Sequence, residues 1–573
     1  MKNFRWSLAP AQPLLADRLA RELNISSLLA QCLLNRGQTE AASIQAFLEP
    51  RLRRLADPFL LPGLPAAVET LWRAREQHRP LVIFGDYDVD GVTSAAVLLE
   101  VLQRLGWSTY YYLPRRLDEG YGLSRAGVEH CLQQFPVSLL LAVDCGSTAT
   151  DTILDLRQRG LDVVVLDHHQ VSTPPPNATA LVNPQLAAAD SPSFRELCSV
   201  GLAFKLAHAL VKRGRAAGLP AAADFDLRPL LDLVALGTIA DLVPLTGENR
   251  ILVACGLERL NTTRRPGLGA LRRVAQISGA IGVYEVGYQL APRLNAAGRL
   301  ENAEAALRLL LARDTAEAEP LAQALDAQNR ERQKIERAIA DQVIGAVRAR
   351  FNAQTDFVVV EGQMLWHLGV VGIVASRVLR EFYRPTIILG GDGKDWRGSG
   401  RSIDGFDLAA ALRQCDDLLL RHGGHAMAAG LSLAPENLAA FRQRLNQLAR
   451  QTLRPEQLHP QIRLDAVACL ADLALERVAE LARLGPFGSE NPQVNLVLRG
   501  VRLKHPADRF GHDLAHARFW VADGGAAREA VWWGANDAPL PEGCFDLAFT
   551  PEIHTYNARR SVRLKVLHWR PAV

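Results

Sequence analysis

No two of the eight cysteines are spaced as C-x-x-C, and they lie scattered from Cys32 to Cys544. That scatter argues against a structural zinc site and a disulfide framework and fits a reducing compartment. Any metal in this protein is therefore expected on oxygen and imidazole. Long apolar runs are missing too, so no segment is suited to span a bilayer. The start of the chain, Met1-Lys2-Asn3-Phe4-Arg5-Trp6, lacks the apolar stretch of a signal peptide, and the expectation is a cytoplasmic protein with no membrane partner. Low-complexity tracts and detectable repeats are absent. A net excess of either charge is nearly absent, +4 over 573 residues, which allows a local basic groove without a field over the whole surface.

What is present is a globular composition, 48% apolar and 22% charged. A single core does not extend over such a length, so several domains are expected. The chain is organised around Asp86-Tyr87-Asp88-Val89-Asp90-Gly91. Leu81-Val82-Ile83-Phe84-Gly85 before it reads as a buried strand, and Val92 to Leu99 after it as the start of a helix. Alternating carboxylates on extended backbone point to one side, and three of them at a strand end repel one another unless a cation sits between them.

From residue 79 a βα alternation follows, with strands at 81–85, 109–113, 138–143 and 161–166 and helices at 92–105, 124–134 and 148–159. This is the pattern of a largely parallel sheet covered by helices, whose ligands bind beyond the carboxyl ends of the strands. Those ends carry acids: Asp86, Asp88 and Asp90, then Asp144, then Asp167-His168-His169. Asp241 closes the apolar segment Leu230 to Ala240. Residues 1–75 read as a helical region without chemistry, 76–315 as the α/β domain, and 316–350 as one long connecting helix. A second α/β domain occupies 351–452, and 460–573 reads as a small β-barrel. The fold class is thus α/β and multidomain with a C-terminal barrel.

Asp88, Asp90, Asp144, His168 and Asp241 offer hard oxygen donors and one imidazole, which suits Mn²⁺ or Mg²⁺. So many acids imply two ions, and an ion pair can activate water and stabilise both oxygens of a phosphoryl transfer. Adjacent histidines on extended backbone point to opposite faces, so one can bind metal while the other meets a phosphate. Arg293 and Arg299 offer guanidinium forks for phosphate. The loop Gly423-Gly424-His425 lets backbone approach an anion closely. Trp532, Trp533, Tyr556, Arg559 and Arg560 mix aromatics with charge, as a base-stacking groove or a barrel core would.

Asp167-His168-His169 matches the motif that names the DHH phosphoesterases, and Gly423-Gly424-His425 resembles the signature of their DHHA1 domain. Within that superfamily the chain resembles the RecJ family of 5′-to-3′ single-strand-specific DNA exonucleases. Gly120-Tyr121-Gly122-Leu123, Gly237 to Asp241, Pro292 to Arg299 and Gly485-Pro486-Phe487-Gly488 fall in the family's order. It departs from the family pattern at Leu368, where many relatives have Pro, and at Glu490, where many have Gly.

The resemblance implies a barrel of the OB type and a DHH domain with its DHHA1 partner. It implies two Mn²⁺ or Mg²⁺ ions on Asp88, Asp90, Asp144, His168 and Asp241, with Asp86, His169 and Arg293 also in the catalytic centre. Arg116, Arg299, Ser399, Arg401, Gly423, Gly424 and His425 would hold phosphate or the strand end. Single-stranded DNA would be the substrate of a monomer, with a RecQ-type helicase and a single-strand-binding protein as partners in DNA repair and recombination. Alternatives are a phosphoesterase for short oligonucleotides or cyclic dinucleotides, and a non-catalytic single-strand-binding scaffold.

Overall fold

A computed structural model describes residues 4–115, 119–120, 122–187, 194–300, 302–391 and 395–572. The chain divides into two compact units, one formed by Ala46–Glu331 with Gly485–Pro492, the other by Met1–Gln45, Arg332–Leu484 and Gln493–Val573.

The first unit is built on a parallel sheet with the strand order Thr109–Tyr112, Leu81–Gly85, Leu139–Val143, Asp162–Leu166, Ala180–Val182. Alternate residues of each central strand serve different cores. Leu81, Ile83, Leu139, Leu141, Val143, Val164 and Leu166 enter one apolar cluster, and Val82, Phe84, Leu140, Ala142, Val163 and Val165 the other. Both faces are therefore dry, which explains why the strands read as continuous apolar runs. The short strand Ala180–Val182, whose three residues are too few to show a period, escapes the sequence reading. The order of strands reverses between Leu81–Gly85 and Leu139–Val143. In such sheets the crevice at the reversal is where ligands sit, and Asp86 and Asp144 follow these two strands.

The acidic run itself differs from the sequence expectation. The helix starts earlier than Val92: Asp88 is the N-cap of Val89–Arg104 and accepts a hydrogen bond from Gly91 N–H at 3.1 Å. Asp90 lies in the first helical turn, so the three acids do not share one extended face. The N-cap preference of Asp decides this, because its oxygen satisfies an otherwise orphaned helix donor. Gly91 is required there, since a Cβ would stand 2.5 Å from the Asp86 carbonyl oxygen.

In the second unit a five-stranded sheet runs in the order Arg421–Gly424, Ala428–Leu433, Trp396–Arg401, Thr386–Gly391, Val359–Gly362, antiparallel except for the last pair. Its first strand begins two residues later than the apolar run Phe357–Val360 suggests. The long helix spans Thr315–Arg348. At the C-terminus seven strands close on themselves, because Leu496–Leu503 pairs with both Cys544–Tyr556 and His516–Ala522. Phe519, Phe545, Leu547, Phe549 and Leu564 fill this barrel. Trp532 is buried there whereas Trp533 and Tyr556 are exposed. Within the stretch read as helical, Arg5–Leu8 is a strand paired in parallel with Gln461–Leu464.

Candidate metal centre

Six carboxylates and two imidazoles meet at the strand reversal. Asp90 is 1% exposed, and the start of the helix Ser199–Ala216 is aimed at it. Ser199 N–H donates to one of its oxygens at 2.7 Å and Val200 N–H to the other at 2.8 Å. A helix N-terminus favours a carboxylate in that position. Asp144, at φ +64°, accepts a hydrogen bond from Ser199 Oγ at 2.8 Å. Asp241 arrives from a different kind of element, as the C-cap residue of the helix Leu231–Ala240. Asp167 accepts from Ser147 N–H at 3.0 Å and from His169 Nδ1–H at 2.8 Å.

The two histidine rings lie 4.4 Å apart and tilted, instead of on opposite faces. Asp167 causes this, since it holds both the backbone N–H and the ring of His169. The roles are nonetheless separated. His168 Nε2 is buried and makes no hydrogen bond among the described residues. It lies 3.6 Å from oxygens of Asp144 and Asp241 and 3.9 Å from Asp90. Burial and the neighbouring His169 cation push its pKa down to about 4, so it stands as a neutral imidazole and these contacts are not ion pairs. For His169, burial lowers the pKa, but the hydrogen bond and charge of Asp167 outweigh it and hold the ring protonated up to about 9.

Burial and the charge of Asp88 raise the Asp90 carboxyl to about 7, and burial with Asp90 and Asp88 raises Asp241 to about 9. Burial, followed by the charges of Asp90, Asp88, Asp86 and Asp241, also lifts Asp144 well above the carboxylate range. Asp167 behaves oppositely: burial would raise it, yet its bonds to His169 and Ser147 hold it below that range. Mutual repulsion of this kind is relieved by a cation. Three groups of donors have atoms within 4.8 Å of one another: Asp90 with His168 and Asp241, Asp86 with Asp88 and Asp144, and, sharing members with both, Asp144 with His168 and His169. An unsatisfied imidazole nitrogen beside hard carboxylates fits a divalent ion of the Mn²⁺ or Mg²⁺ kind.

The segment Pro292 to Arg299 backs onto this centre. Asn295 Oδ1 accepts from Val89 N–H at 3.2 Å, and a Cβ on Gly298 would stand 2.6 Å from the Tyr87 carbonyl oxygen. Arg293 is turned to Asp326, at 2.9 Å, and to the Gln289 carbonyl. Arg299 lies on the same helix, Ala291–Leu300. Arg116 lies outside the described residues. Ser399, Arg401, Gly423, Gly424 and His425 belong to the other unit. Arg401 Nη1 donates to Ser399 Oγ at 2.8 Å, and Gly423 and Gly424 are the last residues of an edge strand. Asn183 Nδ2 donates to Ser147 Oγ and to the His169 carbonyl, both at 2.8 Å, and with Ser147, Ser199 and Asn295 it orients the cluster. Of these, only Asn295 carries a signal in the sequence, as part of the Pro292–Arg299 motif.

Residues 80–238 match the DHH family N-terminal domain, 354–451 the DHHA1 domain and 464–568 the RecJ OB domain. Fold, donor cluster and matched domains define the class, a DHH protein carrying DHHA1 and OB modules. The single-stranded-DNA-specific exonuclease RecJ of Bacillus subtilis (strain 168) is 37% identical over 574 residues, 98% of this chain and 70% of that protein. The crystal structure of RecJ from Thermus thermophilus in complex with Mn²⁺ superposes with a TM-score of 0.84 at 31% identity, covering 100% of this chain and 80% of that one. The Mg²⁺ complex of RecJ from the same organism gives 0.79 at 29% identity, with 100% and 79% covered. The chain belongs to the RecJ family.

Proposed function

We propose that this protein is a metal-dependent exonuclease that removes mononucleotides from the 5′ end of single-stranded DNA. One observation carries the catalytic part. A buried, neutral His168, whose Nε2 makes no hydrogen bond among the described residues, stands among carboxylates that repel one another, and two of the donor groups there share no member. Asp90, His168 and Asp241 would hold one divalent ion, and Asp86, Asp88 and Asp144 the other. Such a pair, when bound, supplies hydroxide and neutralises charge on both the attacking and leaving oxygens of a phosphodiester.

The chain's own groups do the rest. Helix Ser199–Ala216 fixes Asp90, and Ser199 Oγ fixes Asp144, so the carboxylates are oriented before substrate arrives. His169, kept cationic by Asp167, donates a hydrogen bond to a non-bridging phosphate oxygen. Arg293 and Arg299 steady the backbone near the scissile bond. Attack at phosphorus breaks the P–O3′ bond, leaving a 3′-hydroxyl on the released nucleotide and a 5′-phosphate on the shortened strand. By the family resemblance, Arg116, Ser399, Arg401, Gly423, Gly424 and His425 would hold a strand-end phosphate, and each cycle regenerates such an end. The barrel at 464–568 holds the remaining strand. A cytoplasmic role in repair and recombination follows, fed by a RecQ-type helicase and a single-strand-binding protein. No described helix is long and apolar enough to cross a membrane.

The test is incubation with Mn²⁺ and strands labelled at either end, alongside duplexes and a cyclic dinucleotide. Early release of labelled mononucleotide from the 5′ end of the single strand alone is expected. Hydrolysis of the cyclic dinucleotide in preference to the strand would replace this reading with the smaller-substrate alternative. Binding of the strand without any hydrolysis would replace it with the scaffold.

A further inference from the structure

The helical segment that leads into Ala291–Leu300 has two faces with opposite character. Val286 and Leu290 are buried at 0% and 1% exposure, while Tyr284 and Tyr288 are 61% and 70% exposed. The two tyrosine rings stack on each other, with centroids 5.0 Å apart and 27° between their planes. Tyr288 lies in Val286–Leu290, a wide π turn that follows Tyr284, a distortion that is often found at functional sites. An aromatic pair four residues apart steadies its own helix, but that role leaves unexplained two large rings standing in solvent.

Their position supplies the explanation. Gly287, between the two tyrosines in sequence, faces Ile239, two residues before the metal donor Asp241: a Cβ added to it would stand 4.0 Å from the Ile239 side chain. Leu242, directly after Asp241, is another large apolar side chain left in solvent, 75% exposed at φ +62°. At the other end of the same helical run, Asn295 and Gly298 rest on the acidic loop at Val89 and Tyr87. Tyr288 and Asn295 are seven residues apart, which is about 10 Å along a helix. That corresponds to roughly three stacked nucleotides at about 3.4 Å each. Aromatic faces beside a polar catalytic centre suit nucleobases, which stack without regard to sequence.

We propose that Tyr284 and Tyr288 form a stacking platform for a base of the single strand a few nucleotides on the 3′ side of the scissile bond. The platform sets the strand's approach to the metal centre and makes binding depend on an unpaired, unstacked base. It rests on the exonuclease reading above.

The experiment uses the full chain and single strands in which one abasic residue is walked through the first several positions. For the unsubstituted protein, KM rises about tenfold when the abasic residue occupies one position about three nucleotides from the cleaved bond. The double variant Tyr284→Ala with Tyr288→Ala raises KM on intact strands by about the same factor, leaves kcat nearly unchanged, and removes the positional penalty. The Tyr284→Phe, Tyr288→Phe variant keeps the original profile, because the ring face and not the hydroxyl is used. A second readout needs no hydrolysis: 2-aminopurine at that position, in strands bound in Ca²⁺, is quenched by the original protein and not by the alanine variant. An abasic profile and a quenching pattern unchanged by the alanine substitutions overturn the platform. Absence of hydrolysis from every strand, with quenching intact, overturns the exonuclease reading and leaves the platform standing.

Discussion

Asp90 and Arg401 represent two ways of placing a functional side chain. Asp90 is buried, receives two backbone N–H groups from a helix start, and has neighbours of its own charge. Arg401 sits half-buried at the end of the strand Trp396–Arg401, with Nη1 shared between Ser399 Oγ and the Gly400 carbonyl. The first arrangement is over-determined and electrostatically strained, as chemistry on a developing charge requires. The second keeps a flexible cation near its post, which is enough to grip a phosphate. Function that depends on geometry should therefore fail abruptly on substitution, and function that depends on grip should decline by degrees.

The largest expected effect lies on the abrupt side. Asp144→Ala removes a donor shared with His168 and His169, and release of labelled nucleotide should fall to background even at saturating Mn²⁺. Filter binding of the same strand should be little changed, because the phosphate grip comes from arginines. Retained turnover would mean that the two donor sets do not act together. Next comes Ser199→Ala, which leaves every donor in place but frees Asp144 to rotate. A group that orients a metal ligand typically contributes roughly 10- to 100-fold, so a loss of about that size in activity is expected, partly recovered at higher Mn²⁺. A loss no larger than about twofold would show Asp144 to be held by its backbone alone.

On the gradual side, Arg401→Ala should reduce cleavage of 5′-phosphorylated strands about tenfold more than that of 5′-hydroxyl strands, the scale of a charge-assisted hydrogen bond. Equal losses on both substrates would make the arginine a general backbone contact. The smallest effect is on stability. In metal-free protein, Asp241 and His169 have pKa values raised to about 9, so the folded state binds protons that the unfolded chain has lost. Stability gained this way is present at low pH and disappears as pH rises through the folded values. The depressed His168 acts in the opposite sense only below its unfolded value of 6.5. Thermal melts without metal should therefore shift down by a few degrees between about pH 7 and pH 9, and Mn²⁺ should abolish the shift. A flat metal-free profile would show that the carboxylates are not in mutual repulsion.

Sequence and structure agree best where burial writes itself into composition. Leu81–Gly85, Leu139–Val143 and Asp162–Leu166 are apolar on both faces, so their positions are legible to within a residue or two. The residues read as metal donors do converge in space, because each follows a strand or, for Asp241, a largely apolar helix. Ser199 is not legible: a serine after a cysteine looks like any helix start, and its bond to Asp144 spans 55 residues of sequence. The geometry of the acidic run escapes the sequence because capping by Asp88 competes with strand continuation and wins. Glu490 is informative in another way. It stands at φ +54°, a conformation natural to glycine, which gives a physical reason for the glycine that the family pattern favours there.

The pairing of Arg5–Leu8 with Gln461–Leu464 concerns how the protein is made. Its partner strand emerges about 450 residues later, and the His568 ring that accepts a hydrogen bond from Trp6 Nε1 comes later still. At a synthesis rate of roughly 5–20 residues per second, the first strand stands unpaired for about half a minute or more. A nascent chain thus carries an open β-edge, with an indole on it, while the residues between the two strands are made. Docking of Arg5–Leu8 therefore waits for Gln461–Leu464 to be made, and its Trp6 contact waits further for His568.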